Sequence, residues 1–327
     1  MKTFQLLRQL WQLGIQVRIH GSKDARFIQD QANDILNFHH KSLDDKFYRP
    51  IKHYTAGLRI TGSWFATLRG YPLSKKEIMA GRYLAAMTPL FDALFDDEGL
   101  GEENIRDAIS SESPENENII LLHAFRDNLY DNVKNKELIE HFLEKIIQSQ
   151  VDSLRQKEPG ISLDEIRQIT NDKGGFALLG CRSILDHPLD VKEQEAVYQL
   201  GALVQLCNDV FDVWEDTRKG IKTLVDGNSN LASLRSEYLH LINSVLRFFE
   251  SLNYKKPNLH KFFMQMILII GRGLVCIDFL EKSQAENNGV FNPRNMQREQ
   301  LICDMEKPGN FLKSLKYSLN YQDFFIN

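Results

Sequence analysis

No two of the four cysteines, Cys181, Cys207, Cys276 and Cys303, fall at a C-x-x-C spacing. That argues against a zinc ribbon and, with no secretory signal pattern, against a disulfide framework. The excess of negative over positive charge is slight, 44 Asp plus Glu against 40 Lys plus Arg, so a nucleic-acid partner has no electrostatic basis. Nine prolines and nineteen glycines are too few for a low-complexity or collagen-like chain. There is no G-x-S-x-G, no H-E-x-x-H and no G-x-x-x-x-G-K-[ST] phosphate loop. The histidines show no metal-ligand spacing. Glu237 and His240 form a single E-x-x-H, whereas a di-iron bundle needs two. Alternating β-branched runs bounded by turns are missing as well, so no strands are expected.

Gln5, Arg8, Gln9 and Gln12 interrupt the apolar residues near the N-terminus, which leaves no signal-peptide core. The longest apolar run, Phe262 to Leu280, contains Gln265, Arg272 and Asp278. Such a polar load reads as a buried core helix, not a membrane span. A cytoplasmic location with no transmembrane segment is the expectation.

Helical periodicity fills nearly the whole chain. Phe4, Leu7, Trp11 and Ile15 are spaced for one apolar stripe. Ser74 with Glu77, and Ser162 with Glu165, are S-x-x-E capping boxes that open helices. Breaks fall at Pro159-Gly160, Asp186-His187-Pro188, Asp226-Gly227-Asn228, Lys256-Pro257-Asn258 and Asn287-Asn288-Gly289. The polar stretch Gly99 to Asn118 reads as a loop or short-helix region. The expected architecture is all-α, a single domain over residues 1–327 with about ten helices.

Two acidic segments stand out from this background. In the first, Asp92 and Asp96 lie four residues apart and so stack on one helix face, with Asp97 turned away. The preceding residues Leu84 to Phe95 are nearly all apolar, so this pair emerges from a buried helix and is placed to line a cavity. Pro89, one turn earlier, begins or kinks the segment.

The second segment runs from Gln205 to Asp216. With Asn208 set at 0° and about 100° per residue, Glu215 falls near −20°, Asp212 near 40° and Gln205 near 60°. Asp216 falls near 80° and Asp209 near 100°. Six polar groups, four of them acids, thus share an arc of roughly 120°, with Lys219 near 20° as the one base. Leu206, Val210, Phe211, Val213 and Trp214 fill the rest of the circumference. Like charges at i, i+3 and i+4 repel, and a divalent cation held by carboxylate and amide oxygens would neutralise them. Oxygen donors of this kind suit Mg²⁺.

The two segments together resemble the class I isoprenoid synthase superfamily, most closely its squalene and phytoene synthases. The DxxxD motif of that family is matched by Asp92 and Asp96, and its NxxxDxxED motif by Asn208, Asp212, Glu215 and Asp216. Leu200-Gly201-Ala202 and Gln205-Leu206 resemble its approach to the second motif. Phe211 departs from it, standing where the family usually carries an arginine. The resemblance implies a helical bundle around a central cavity, and a Mg²⁺-dependent enzyme that ionises an allylic prenyl diphosphate. Head-to-head condensation or terpene cyclisation would follow.

In that scheme Asp92, Asp96, Asn208, Asp212 and Asp216 are catalytic and hold Mg²⁺, with Glu215 as a further ligand. Lys173, Arg218, Lys219 and Lys222 would contact the diphosphate. Gly174 and Gly175 beside Lys173 would let backbone approach the ligand. The aromatic residues Phe211 and Trp214 point off the acidic stripe and are assigned to packing. Long hydrocarbon substrates would bring peripheral membrane contact, and a homodimer is compatible with the reading. Gln205, Asn208, Asp209 and Asp212 also echo the second motif of head-to-tail polyprenyl diphosphate synthases, and Lys173 to Phe176 resembles their lysine segment. Asp96 to Leu100 lacks the arginine pair those enzymes carry after the first motif. A non-catalytic helical protein that kept the fold is the third alternative.

Overall fold

The computed structural model describes residues 2–42, 45–96, 111, 114–227 and 230–320, with side chains described for 8–42, 50–95, 111, 114–227 and 230–320. Every regular element among them is helical and none is a strand, as the periodicity predicts. In chain order the helices are α1 (Lys2–Ile15), α2 (Gly21–Phe38), α3 (Asp45–Arg69), α4 (Lys75–Asp96), α5 (Glu117–Asn132) and α6 (Lys136–Ser153). They continue as α7 (Leu163–Ser183), α8 (Val191–Lys219), α9 (Leu231–Glu250), α10 (Lys256–Glu286), α11 (Arg298–Leu301) and α12 (Pro308–Leu319). A π-helical turn, Gln16–His20, joins α1 to α2 without a break.

Local chemistry sets the helix ends. At the start of α4 the amide of Ser74 donates to Glu77 Oε2 at 2.7 Å, and the amide of Glu77 donates back to Ser74 Oγ at 3.2 Å. Ser162 and Glu165 repeat the reciprocal pair before α7, at 3.0 and 3.2 Å. Asp190 caps α8 through its contact with the amide of Glu193. The other end of α8 stops at Gly220, whose φ of 70° is the left-handed conformation that glycine adopts without steric cost. Pro89 lies inside α4, well after its start at Lys75, so it does not begin the segment. Most of the stretch from Gly99 to Asn118 lies outside the described residues, and α5 opens near its end, capped by Asn116.

The chain forms two compact units. One comprises residues 10–147 and 180–188, in which α4 packs on α3 and α5, and α2 packs on α3. Phe65, Leu68, Leu90, Leu94 and Phe125 are buried at its centre. Its interior also holds ion pairs. Asp24 is buried between Arg59, whose Nη2 donates at 2.9 Å, and Arg82, whose Nε donates at 2.7 Å. Trp11, in the apolar stripe of α1, is 72% exposed.

The other unit comprises residues 1–9, 148–179 and 189–327, built on α8 and α10 with α9 and α12 packed against α10. The apolar run is here the 31-residue helix α10, most of whose apolar stretch is buried, as a core helix should be. The three polar residues that interrupt the run each make a contact. Gln265 donates to Gln9 at 2.9 Å, Arg235 donates to Asp278 at 2.6 Å, and the Arg272 guanidinium lies 5.8 Å from the Phe211 ring centroid. Val210, Leu206 and Leu203 bury the apolar side of α8.

Candidate functional site

The acidic face of α8 is graded in exposure. Asn208, Glu215 and Lys219, which the 100° step puts at one edge of the arc, are exposed, Glu215 at 69%. Asp212, in the middle, is half-buried. Asp209, at the far edge, is buried with only 6% exposed, and Asp216 beside it is half-buried. What covers that edge is α7, through Thr170 and Lys173.

This packing is very close. A methyl group added at Gly174 would stand 2.2 Å from the carbonyl oxygen of Gly201 on α8, and one added at Gly175 would meet the ring of Tyr198 at 2.3 Å. The two glycines therefore admit α8, not the backbone approach to a ligand that the sequence suggests. Their consequence for the site is indirect: they bring the neighbouring Lys173 within electrostatic reach of the acids.

Hydrogen bonds pair the polar groups along the stripe. Gln205 Nε2 donates to Asp209 Oδ1 at 2.8 Å, and Thr170 Oγ1 donates to Asp209 Oδ2 at 3.4 Å. Asn208 Nδ2 donates to Asp212 Oδ2 at 2.8 Å. Burial pushes the Asp209 carboxyl up to about 6, against the opposing pull of Gln205, Lys173 and Thr170. Asp216 is pushed up to about 7, first by burial and then by the charges of Asp209 and Asp212, which Lys173 and Lys219 offset only in part. The face thus carries more negative charge than its bases neutralise. Asp209 is the residue that the motif comparison leaves out of the ligand set, although it is the most buried acid of the stripe.

The remaining bases are dispersed. Lys219 reaches Glu215 at 3.9 Å on the exposed edge, and the Arg218 guanidinium lies 5.6 Å from the Trp214 ring centroid. Both Phe211 and Trp214 therefore face a guanidinium off the acidic stripe. Lys222 Nζ donates to the carbonyl oxygens of Glu158 and Pro159, each at 2.7 Å, so its ammonium pins a loop.

In the other unit, Asp92 is half-buried on α4 and accepts a hydrogen bond from the hydroxyl of Tyr54 on α3. Asp96 is the last residue of α4; its side chain, and all of Asp97, lie outside the described residues. A cavity of about 290 Å³ opens within this unit, lined by Met87, Phe91, Leu122, Leu143 and Ile147 and equally by the polar residues His123, Arg126, Tyr130, Glu140 and Glu144. Phe91 immediately precedes Asp92, so this partly polar cavity borders the helix that presents the acid.

Among the described residues no three His, Cys, Asp or Glu side chains are grouped closely enough to hold a metal ion by themselves. The donor chemistry of the α8 face nevertheless fits Mg²⁺. All its donors are oxygens, its charge is in excess, and Mg²⁺ is commonly held by one or two carboxylates with water and phosphate completing the shell. Comparison of the chain with protein-family models, curated proteins and solved structures finds no match.

Proposed function

We propose that the protein is a Mg²⁺-dependent isoprenoid synthase of the class I type, which ionises an allylic prenyl diphosphate. The hydrocarbon would then undergo head-to-head condensation or cyclisation. The observation that carries this reading is the face of α8. Asp209, Asp212 and Asp216 are gathered on a largely buried helix, with the Asp209 and Asp216 carboxyls raised by burial and by the neighbouring acids, beside a single lysine from α7. Such a surface gains most from a bound divalent cation, and a cation bound there attracts a diphosphate.

In this reading Asp212 and Asp216, with Asn208 and Glu215, would hold Mg²⁺ on α8, and Asp92 and Asp96 would be the metal-binding acids of α4. The metal supplies Lewis-acid stabilisation of the negative charge that develops on the departing diphosphate. The protein's own contribution is orientation. Asn208 fixes one oxygen of Asp212, and Gln205 and Thr170 fix Asp209. Lys173 offers a cation to the same anionic group, and Arg218 and Lys219 stand exposed at the end of α8. The enzyme would work in the cytoplasm, and the isoprenoid synthase arrangement of helices around a central cavity belongs to the same proposal.

Head-to-tail prenyl transfer is the second reading, and a specific contact favours it. Gln205 bound to buried Asp209, with Lys173 opposite, reproduces the Gln, Asp and Lys elements that resemble those synthases.

The test is release of inorganic pyrophosphate from geranyl, farnesyl or geranylgeranyl diphosphate, with and without Mg²⁺ and with isopentenyl diphosphate as an optional co-substrate. Release that needs Mg²⁺ and is lost in Asp212→Ala supports the proposal. A strict requirement for isopentenyl diphosphate selects head-to-tail transfer. No release from any chain length under any combination removes the enzymatic reading and leaves a non-catalytic helical protein.

A further inference from the structure

The first two helices carry a surface that the acid clusters do not use. From Met1 to Lys23 the sequence contains no Asp or Glu but has Lys2, Arg8, Arg18 and Lys23. The first acid, Asp24, is buried and already held by Arg59 and Arg82. Because the π-helical turn joins α1 to α2, residues 10–38 of the unit form one uninterrupted rod. Positions 11, 15, 18, 22 and 26 follow one another by three or four residues, and 19, 23 and 26 do the same beside them, so the two rows lie toward one side.

That side faces out. Trp11 is 72% exposed, Ile19 is 49% exposed, and Arg18, Lys23 and Arg26 are exposed around them. None of these three cations has an ion-pair partner among the described residues. Acids return only at Asp30 and Asp34, past the end of the stripe. An exposed Trp and Ile flanked by unpaired cations on a helix is the composition of an interfacial helix. The indole settles at headgroup depth, the aliphatic chain enters the acyl boundary, and the bases meet anionic lipid.

We infer that this stripe, Trp11, Arg18, Ile19, Lys23 and Arg26, docks the protein on a bilayer surface that carries anionic lipid. The charge of the stripe selects that occupant, since a purely apolar partner would leave three cations unpaired. The inference is independent of the proposed chemistry and stands or falls separately from it.

Flotation of the full chain with vesicles tests it, comparing phosphatidylcholine alone with phosphatidylcholine containing phosphatidylglycerol, at low and high salt. Binding is expected only to the phosphatidylglycerol vesicles, and high salt should weaken it. Each cation near the surface is worth about fivefold in partitioning, so Arg18→Gln with Lys23→Gln and Arg26→Gln should weaken binding about a hundredfold. Trp11→Ser should weaken it as well. The altered side chains are exposed, so lipid-free thermal midpoints should match the wild type and exclude unfolding as the cause. Equal recovery with both vesicle types, or no loss in either variant, would overturn the inference. So would a lipid-free dimer in sedimentation that Trp11→Ser dissociates, because the stripe would then be a contact between copies of the chain.

Discussion

Asp216 stands two turns beyond Asp209 on the same face of α8, and the charge on Asp209 is the strongest influence after burial in raising the Asp216 carboxyl. Repulsion along a helix is ordinarily relieved by water, but α7 closes over this edge through Thr170 and Lys173. The folded chain therefore retains an electrostatic cost at the place where the proposed chemistry needs a cation.

That cost has a pH signature. Asp209 titrates near 6 in the folded chain, above its ordinary value of 3.8, so between about pH 4 and 6 the folded state binds more protons than the unfolded state. Stability attributable to this group is greatest below that window and falls as pH rises through it. Asp209→Asn removes the charge and keeps an acceptor for Gln205 and Thr170. It should stabilise the protein at pH 8 by on the order of 3 kcal/mol, by about half of that at pH 5, and leave it unchanged at pH 3, as read from denaturant midpoints at pH 8 and pH 3. Equal effects at both would mean that Asp209 is not held as a disfavoured carboxylate.

Glu77 predicts the opposite slope. Burial alone would raise its carboxyl, but Arg69 and the amides of Ser74 and Asp186 outweigh burial and bring it down to about 2. Its contribution is complete above the ordinary carboxylate value of 4.5 and is lost as pH falls toward 2. Glu77→Gln should cost about 3 kcal/mol at pH 7 and much less at pH 2.5. Acid unfolding monitored by circular dichroism on both proteins measures the difference.

The crossing of α7 and α8 predicts a steric effect. A β-carbon at Gly174 meets a backbone carbonyl oxygen of α8, which no rotamer change can move aside. Gly174→Ala should destabilise by about 1–3 kcal/mol, whereas Gly160→Ala, with nothing within 4 Å, should not carry that penalty. Moving α8 also moves Asp209 away from Thr170, so the high titration point of Asp209 should fall in the Gly174 variant as water enters. Thermal melts combined with a pH series separate the two effects.

Helix type and several helix ends were readable from residues because they depend on neighbours in sequence. A Ser and a Glu three apart suffice for the caps at α4 and α7, and the 100° step places the acids of α8 on one face. Which edge of that face is buried depends on where α7 lies, and no residue count on α8 reveals it. The available signals were Gly201 on α8 and Gly174 on α7, small residues that allow two helices to touch. Trp11 shows a related limit: periodicity states which residues share a side and not what that side faces. The ammonium of Lys222 shows the same limit, since its partners, the carbonyls of Glu158 and Pro159, are more than sixty residues away.

The central claim is that the acidic face of α8 binds a cation that in turn binds a diphosphate. The most direct measurement is the thermal midpoint at pH 8 and pH 5.5 with Mg²⁺, with farnesyl diphosphate, and with both, on wild type and Asp212→Ala. At a hundredfold over its dissociation constant the ligand pair should stabilise the folded state by about 2.7 kcal/mol. The account predicts a shift that requires both components, is larger at pH 8 because protons compete with Mg²⁺ for Asp216, and disappears in Asp212→Ala. A shift with farnesyl diphosphate alone, or one that Asp212→Ala retains in full, would contradict it.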